Sequence, residues 1–137
     1  MTVAAAQVVV AGEARGPVLS LDEPLSFWGG LSAESGLVTD EHHPQTGACL
    51  TGVVLVMRAA RGSSSASSVL AEAVRLGTAP AAIVMIHPDE ILATGAIVAD
   101  ELYGRTVPIV LVSESDYPAV AAATHAVIAA DGSITVS

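Results

Sequence analysis

The chain has 137 residues and a mass of 13.7 kDa, so we expect residues 1–137 to form one domain around a single hydrophobic core. Apolar residues make up 52% of the sequence and charged residues 14%, a balance that excludes intrinsic disorder. The net charge of −9 argues against nucleic-acid binding, because that function needs a basic surface. The lone cysteine, Cys49, excludes an internal disulfide.

The hydrophobicity of the chain bears on its location. The mean hydropathy is +0.62, yet no apolar run reaches the ~18–20 residues that span a bilayer. The first ten residues lack the positive region of a secretory signal. We therefore expect a cytoplasmic protein without membrane association, whose apolar surface is partly covered by another chain.

The N-terminal part of the chain predicts two strands and then a long loop. Residues 7–11 and 17–21 are short apolar or β-branched runs, separated by Gly12 and Gly16. Residues 22–49 are rich in glycine and proline and have poor periodicity, with room for one short strand at residues 36–39. A loop of this length inside a compact domain is typical of a binding element.

The middle of the chain predicts alternating strands and helices. Three apolar runs, residues 52–57, 81–86 and 107–112, suit buried strands. After the first run, apolar residues recur at helical spacing as far as a glycine that can end a helix (Val69, Leu70, Ala73, Leu76 and Gly77). Residues 89–102 carry only a short apolar segment. The order of elements predicts a mixed α/β domain.

The C-terminal part predicts a short helix and a hairpin. The helix covers residues 115–123, with Ser115 as its N-cap. The hairpin consists of residues 125–129 and 133–136, joined by a turn at Asp131-Gly132.

The turn between the first buried strand and its helix is the strongest candidate for a binding site. Arg61 and Gly62 are followed by Ser63, Ser64 and Ser65, and we call residues 61–65 the serine turn. The first N–H groups of a helix have no partners within it, and the helix dipole favours negative charge there. The turn is therefore suited to an anion; the alternative is that one serine caps the helix and the others are solvated. Because the chain has no lysine, the Walker phosphate-binding motif is excluded.

Several motifs are similar to those of one known family. They are Gly12-Glu-Ala-Arg-Gly16, Pro24-Leu-Ser-Phe-Trp-Gly-Gly30, His43-Pro44 with Gly47, Arg61-Gly-Ser-Ser64, Gly77-Thr-Ala-Pro-Ala81 and Asp89-Glu-Ile-Leu-Ala93. Together they resemble the small-subunit, or swivel-domain, family of the aconitase X dehydratases, from about residue 12 to residue 112. Ala60 stands where the family pattern has a glycine, a departure that leaves the serine turn intact.

The resemblance implies a fold and an activity. The fold is a swivelling β/β/α domain, like the mobile fourth domain of aconitase. The activity is that of a two-chain hydro-lyase, in which a larger subunit holds iron or an iron–sulfur cluster and the small subunit supplies a serine base. By position that base is Ser63, with Arg61, Gly62, Ser64 and Ser65 as substrate-binding residues. This chain alone is expected to bind no metal.

The substrate is a small hydroxy acid in the reactions of this family. These reactions are dehydrations of cis-3-hydroxy-L-proline in bacteria and of mevalonate 5-phosphate in archaea. The alanine-rich, lysine-free composition favours the bacterial reaction, and the archaeal one is the alternative.

The chemistry of dehydration agrees with this assignment. Elimination of water needs a base at one carbon and a Lewis acid on the departing hydroxyl. A helix N-terminus beside Arg61 provides a positive field that stabilises the alkoxide of Ser63. Cys49 alone cannot hold an iron–sulfur cluster, which takes four thiolates.

Three further residues are candidates for the wall of the site or for contact with the larger subunit. Phe27 and Trp28 lie together in the glycine-rich loop, and the alternative is a small core under that loop. His43 matches the His-Pro step of the family, which favours a structural or site-lining role over metal binding. We expect four carboxylates to be solvated rather than catalytic: Asp40, Glu41, Asp89 and Glu90.

Two other functional classes remain open. Swivelling β/β/α domains also serve as phosphohistidine carriers, for which His125 is the candidate, although the glycine-rich signature of those carriers is missing. His87 is most simply a surface residue. The other class is a structural partner that shapes the pocket of a larger subunit without chemistry.

Overall fold

The computed structural model describes residues 1–137 without a gap. Its strands are β1 (Thr2–Val3), β2 (Gln7–Val10), β3 (Ala14–Ser20), β4 (Val54–Val56), β5 (Ala82–Met85), β6 (Ile109–Leu111), β7 (His125–Ile128) and β8 (Ile134–Val136). Its helices are α1 (Phe27–Gly30), α2 (Ala66–Leu76), α3 (Glu90–Tyr103) and α4 (Tyr117–Ala121). The short α1 is irregular, since Trp28 and Gly29 have non-helical backbone angles. None of these helices combines the length and the apolar character needed to cross a membrane.

The eight strands form one sheet in the order β1-β8-β7-β3-β4-β5-β6-β2. Strands β3 to β6 are parallel, and the outer pairs are antiparallel. Strands β1 and β2 lie at opposite edges but are joined by residues 4–6 alone. Such a link reaches about 14 Å, whereas eight flat strands span about 34 Å. The sheet is therefore strongly curled.

The parallel strands are buried on both faces, as the continuous apolar runs predict. Side chains on the outer face pack under α2, α3 and the long loop, among them Leu55, Ile83 and Ile109. Side chains on the inner face meet α4 and the C-terminal hairpin, among them Val54, Val84 and Val110. The mixed α/β prediction is thus confirmed.

Two local predictions also hold. Gly77 ends α2 in the left-handed conformation with a φ of +79°, which a glycine adopts without strain. The C-terminal hairpin turns at Gly132, which has a φ of +88°.

Helix α3 differs most from the sequence-based prediction, which assigns only a short apolar segment to residues 89–102. The buried side of this helix includes Leu92, Ala96 and Ala99, while Ile97 and Leu102 are exposed. Because both sides of α3 are apolar, the contrast that marks an amphipathic helix is weak.

Three smaller predictions are wrong. No strand forms at residues 36–39, where only isolated bridges occur. Gly16 lies inside β3 rather than between strands. A side chain is excluded there, because a Cβ would lie 2.4 Å from the carbonyl oxygen of Gly52. Ser115 is not the N-cap of α4; the N–H of Asp116 donates to the Oγ of Ser113 over 3.2 Å.

Candidate active site

The candidate site is a narrow cleft at the carboxyl ends of β4 and β5. The N-termini of α2 and α3 both reach this cleft, because each helix follows one of these parallel strands. Carboxyl ends of parallel strands are where α/β folds commonly bind their ligands. The lining residues are Phe27, Ala60, Arg61, Ser63, Ala66, Asp89, Ile91 and Leu92.

Ser63 lies in the turn that leads into α2, two residues before the N-cap Ser65. Its Oγ accepts a hydrogen bond from the N–H of Ser65 at 3.1 Å, and its carbonyl accepts from Ala66 at 3.0 Å. The hydroxyl of Ser63 is exposed and lies at the positive end of the helix dipole. The N-cap of α2 is Ser65, whose side chain makes no capping hydrogen bond, so Ser63 is held in the turn before the helix and remains exposed to a ligand.

The neighbouring serines have different surroundings. Ser64 is exposed and Ser65 is partly buried. The hydroxyl of Ser67 donates to the carbonyl of Ser64 at 2.9 Å, inside the first turn. Of these serines, Ser63 is the one whose Oγ is held by a backbone N–H.

Gly62 allows the long loop to approach the serine turn closely. Its φ is +106°, and a Cβ there would lie 2.0 Å from the Oγ of Ser26. The hydroxyl of Ser26 in turn donates to the carbonyl of Trp28 at 2.9 Å. The N–H of Arg61 donates to the carbonyl of Leu25 at 3.4 Å. Residues 25–30 are therefore fixed against the serine turn.

Two carboxylates that we expected to be solvated have specific roles. Asp89 caps α3, because its Oδ1 accepts from the N–H of Leu92 at 2.8 Å. Asp40 faces Arg61, with 3.8 Å between its Oδ2 and the Nη2 of the arginine. Neither residue is predicted from the sequence to lie near the site, although Asp89 belongs to one of the quoted motifs.

Phe27 and Trp28 differ in burial despite being adjacent. Phe27 is 1% exposed and packs in the core while lining the cleft. Trp28 is 57% exposed beside it. The core alternative therefore applies to Phe27, whereas Trp28 is open to solvent and available for contact with a partner.

His43 is buried, and both of its ring nitrogens bond to the backbone. Its Nδ1 accepts from the N–H of Gln45 and its Nε2 contacts the carbonyl of Glu23, both at 3.0 Å. Nε2 is therefore the protonated nitrogen. His43 joins two parts of the long loop and does not line the cleft. His87 and His125 are exposed outside the cleft.

The side chains of this chain do not fit an iron–sulfur cluster. No group of three or more histidine, cysteine, aspartate or glutamate side chains is placed to hold a metal ion. Cys49 is exposed, and hydrogen bonds from the side chain and backbone of Thr51 lower its thiol pKa. A single thiolate cannot supply the four ligands of a cluster.

Comparisons with known proteins agree on one family. The family described as Aconitase X swivel domain matches residues 3–136. A cis-3-hydroxy-L-proline dehydratase of Pseudomonas aeruginosa is 50% identical over 108 residues, which cover 79% of this chain and 19% of that protein. The small subunit of phosphomevalonate dehydratase from Methanothermobacter thermautotrophicus is 43% identical over 93 residues, which cover 68% of this chain and 71% of the relative.

A solved structure supports the same assignment. The crystal structure of aconitase X from Thermococcus kodakaraensis in its holo form has a TM-score of 0.85 and 29% identity. The match covers 100% of this chain and 98% of that chain. The predicted swivel fold is thereby confirmed. The chain spans about a fifth of the Pseudomonas dehydratase but most of the separate small subunit.

Proposed function

Because the chain belongs to the aconitase X swivel domain family, we propose that it is the swivel part of a hydro-lyase. In this role it works with a larger polypeptide and supplies Ser63 as the base that removes a proton from a small hydroxy acid. We favour cis-3-hydroxy-L-proline as the substrate, since a dehydratase of that compound is 50% identical over 79% of this chain.

The observation that carries the proposal is the geometry of Ser63. A serine hydroxyl is a weak base unless its alkoxide is stabilised. The N–H of Ser65 already donates to the Oγ of Ser63 at 3.1 Å, and this bond strengthens when the oxygen becomes negative. The dipole of α2 acts in the same direction. These groups are in place before the reaction, so stabilising the charge requires no rearrangement.

The other polar groups of the turn are suited to holding the substrate. Ser64 is exposed on the first turn, where N–H groups and hydroxyls bind carboxylates. Ser65 extends the same turn. Gly62 is exposed, and because Ser26 fills the space where its Cβ would be, Gly62 contributes only its backbone. The guanidinium of Arg61 is 50% exposed, so it has donors available for an anionic group. In the proposed complex these residues bind and orient the substrate, and Ser63 receives the proton.

The proposed partner is a larger polypeptide that holds iron or an iron–sulfur cluster. This chain lacks the ligands for such a group, and the relatives include small subunits by name. The Pseudomonas dehydratase carries its matching region within a chain about five times as long as the matched segment. Trp28 lies exposed beside the serine turn, on the surface that a partner covering the cleft would contact.

Mevalonate 5-phosphate is the second candidate substrate. One observation favours it: the phosphomevalonate dehydratase small subunit of Methanothrix thermoacetophila is 35% identical over 130 residues, which cover 93% of this chain. The dipole of α2 and the guanidinium of Arg61 suit a phosphate as well as a carboxylate.

The test is to co-express this chain with the larger homologous polypeptide of its source and assay the complex on both substrates. We expect water to be eliminated from cis-3-hydroxy-L-proline at least tenfold more efficiently than from mevalonate 5-phosphate. Ser63→Ala should abolish turnover, while Ser68→Ala, an exposed serine one turn further along α2, should not. The reverse substrate preference would establish the second candidate, and full activity of Ser63→Ala would refute the role of Ser63.

A further inference from the structure

Asp40 connects the long loop to the serine turn. Its Oδ2 lies 3.8 Å from the Nη2 of Arg61, and its side chain is 25% exposed. Its Oδ1 accepts from the N–H of His42 at 3.0 Å, and its carbonyl accepts from the N–H of His43 at 3.1 Å. Hydrogen bonds within the long loop therefore fix the Asp40 carboxylate independently of Arg61.

Arg61 is the arginine that lines the cleft. Three of the other four have partners elsewhere: Arg58 pairs with Glu114, Arg75 with Glu72, and Arg105 donates to the carbonyl of Val74. The backbone of Arg61 is bonded to Leu25, so its position is fixed. The direction of its long side chain is set by what the guanidinium contacts.

We propose that Asp40 is a positioning residue that directs the guanidinium of Arg61 along the rim of the cleft. A guanidinium has five N–H donors in a rigid fork. Contact with one oxygen of Asp40 leaves the remaining donors for a carboxylate of the substrate. Binding of the substrate carboxylate rests on the function proposed above, whereas the orientation of the Arg61 side chain by Asp40 does not.

The contact is not a device for stability. Ion pairs this exposed contribute about 0–1 kcal/mol to folding. The carboxylate is already fixed by His42, so less side-chain entropy is lost when it holds the arginine. The consequence should therefore appear in substrate binding and in the order of the Arg61 side chain rather than in the melting temperature.

Kinetics of the complex test the proposal with Asp40→Asn, which keeps an oxygen for the N–H of His42 but removes the charge. We expect KM to rise roughly tenfold with kcat within about twofold, and Asp40→Glu to recover part of the loss. In an Arg61→Gln background, Asp40→Asn should have no further effect, since it acts through the arginine. Glu41→Gln removes the neighbouring exposed charge and should change neither constant. An unchanged KM in Asp40→Asn, or additive effects in the double variant, would overturn the proposal.

A second measurement needs no activity. In the full chain labelled with ¹⁵N-arginine, the Nε–H of Arg61 should be ordered in the wild type and in Glu41→Gln. It should become mobile in Asp40→Asn, with Arg61→Lys used to assign the signal. If the wild-type complex turns over neither substrate, the proposed function is wrong. The order of the Arg61 Nε–H still tests whether Asp40 positions the arginine, because that measurement needs no activity. Equal order of Arg61 in the wild type and in Asp40→Asn would refute that role.

Discussion

Gly95 of α3 packs directly against Ser67 of α2. A Cβ at Gly95 would lie 2.7 Å from the carbonyl oxygen of Ser67 and 3.1 Å from its Cα. The two helices can approach this closely only because no side chain separates them. Since Ser67 lies one turn after Ser63, the contact also brings the N-terminus of α2 towards that of α3, where Asp89 lines the same cleft.

Gly95→Ala should therefore destabilise the chain, although alanine is the better helix former. The helix-propensity gain of about 1 kcal/mol is outweighed by overpacking against backbone, which leaves a net loss of about 1–2 kcal/mol. Urea denaturation measures it. Thr94→Ala is the matched control, since Thr94 is exposed in the same helix, and it should change the free energy of unfolding by less than about 0.5 kcal/mol. A Gly95→Ala variant as stable as the wild type would contradict this packing.

Ser63 has two roles that different substitutions separate. Ser63→Ala removes the hydrogen bond that the N–H of Ser65 donates to its Oγ and should cost about 1 kcal/mol of folding free energy. In the assembled enzyme kcat should also fall roughly 10²-fold or more. Ser63→Asn keeps an oxygen acceptor for that N–H, so it should retain stability and lose the same activity. Denaturation of the chain and steady-state kinetics of the complex measure the two effects.

Ser64→Ala is the comparison for that series. Ser64 is proposed to bind the substrate, so its loss should mainly raise KM and leave kcat nearly unchanged. Near wild-type kcat in Ser63→Ala together with a collapse of kcat in Ser64→Ala would reverse the roles of the two serines.

The serine turn could be placed from the sequence because its signals are local. A buried strand, then Gly62, then serines ahead of a helical pattern ending at Gly77 define where the first turn lies. Burial within the long loop could not be predicted, because that loop has no periodicity to assign faces. Phe27 and Trp28 are adjacent in sequence, yet one is 1% exposed and the other 57%.

The contacts between distant segments could not be predicted either. Asp40 and Arg61 are 21 positions apart in the sequence, and no pattern in the residues between them indicates that they form an ion pair. Asp89 was open to prediction as an N-cap, but only if α3 had been recognised. Apolar residues on both sides of α3 concealed the helix, and with it the second helix N-terminus at the cleft.

Burial raises the pKa of the Tyr117 phenol, while the Ser20 hydroxyl and the charge of Arg58 partly oppose the shift. The unfolded chain ionises this group near pH 10, below the pH at which the folded chain does. Above that pH the unfolded state binds fewer protons, so the stability contributed by neutral Tyr117 is present at lower pH and is lost as the pH rises. Tyr117→Phe should flatten the decline in unfolding free energy between about pH 9 and pH 11.

The ultraviolet absorbance of tyrosinate measures this titration directly in the folded chain. Tyr117→Phe should remove the component that ionises above the usual range of a phenol, because burial raises the pKa of Tyr117. An absorbance titration that keeps this component in Tyr117→Phe would show that burial does not shift Tyr117.

Substitutions of Phe27 and Trp28 should have different effects, the first on folding and the second on binding to the larger polypeptide. Phe27→Ala removes a core side chain and should cost about 3–5 kcal/mol. Trp28→Ala should leave the free energy of unfolding within about 0.5 kcal/mol but weaken co-purification with the larger polypeptide, because exposed aromatic side chains anchor interfaces. Trp28 is the chain's one tryptophan, so its fluorescence should shift to shorter wavelength when the partner binds. Unfolding of the isolated Trp28→Ala variant, or unchanged fluorescence on assembly, would place Trp28 outside the interface.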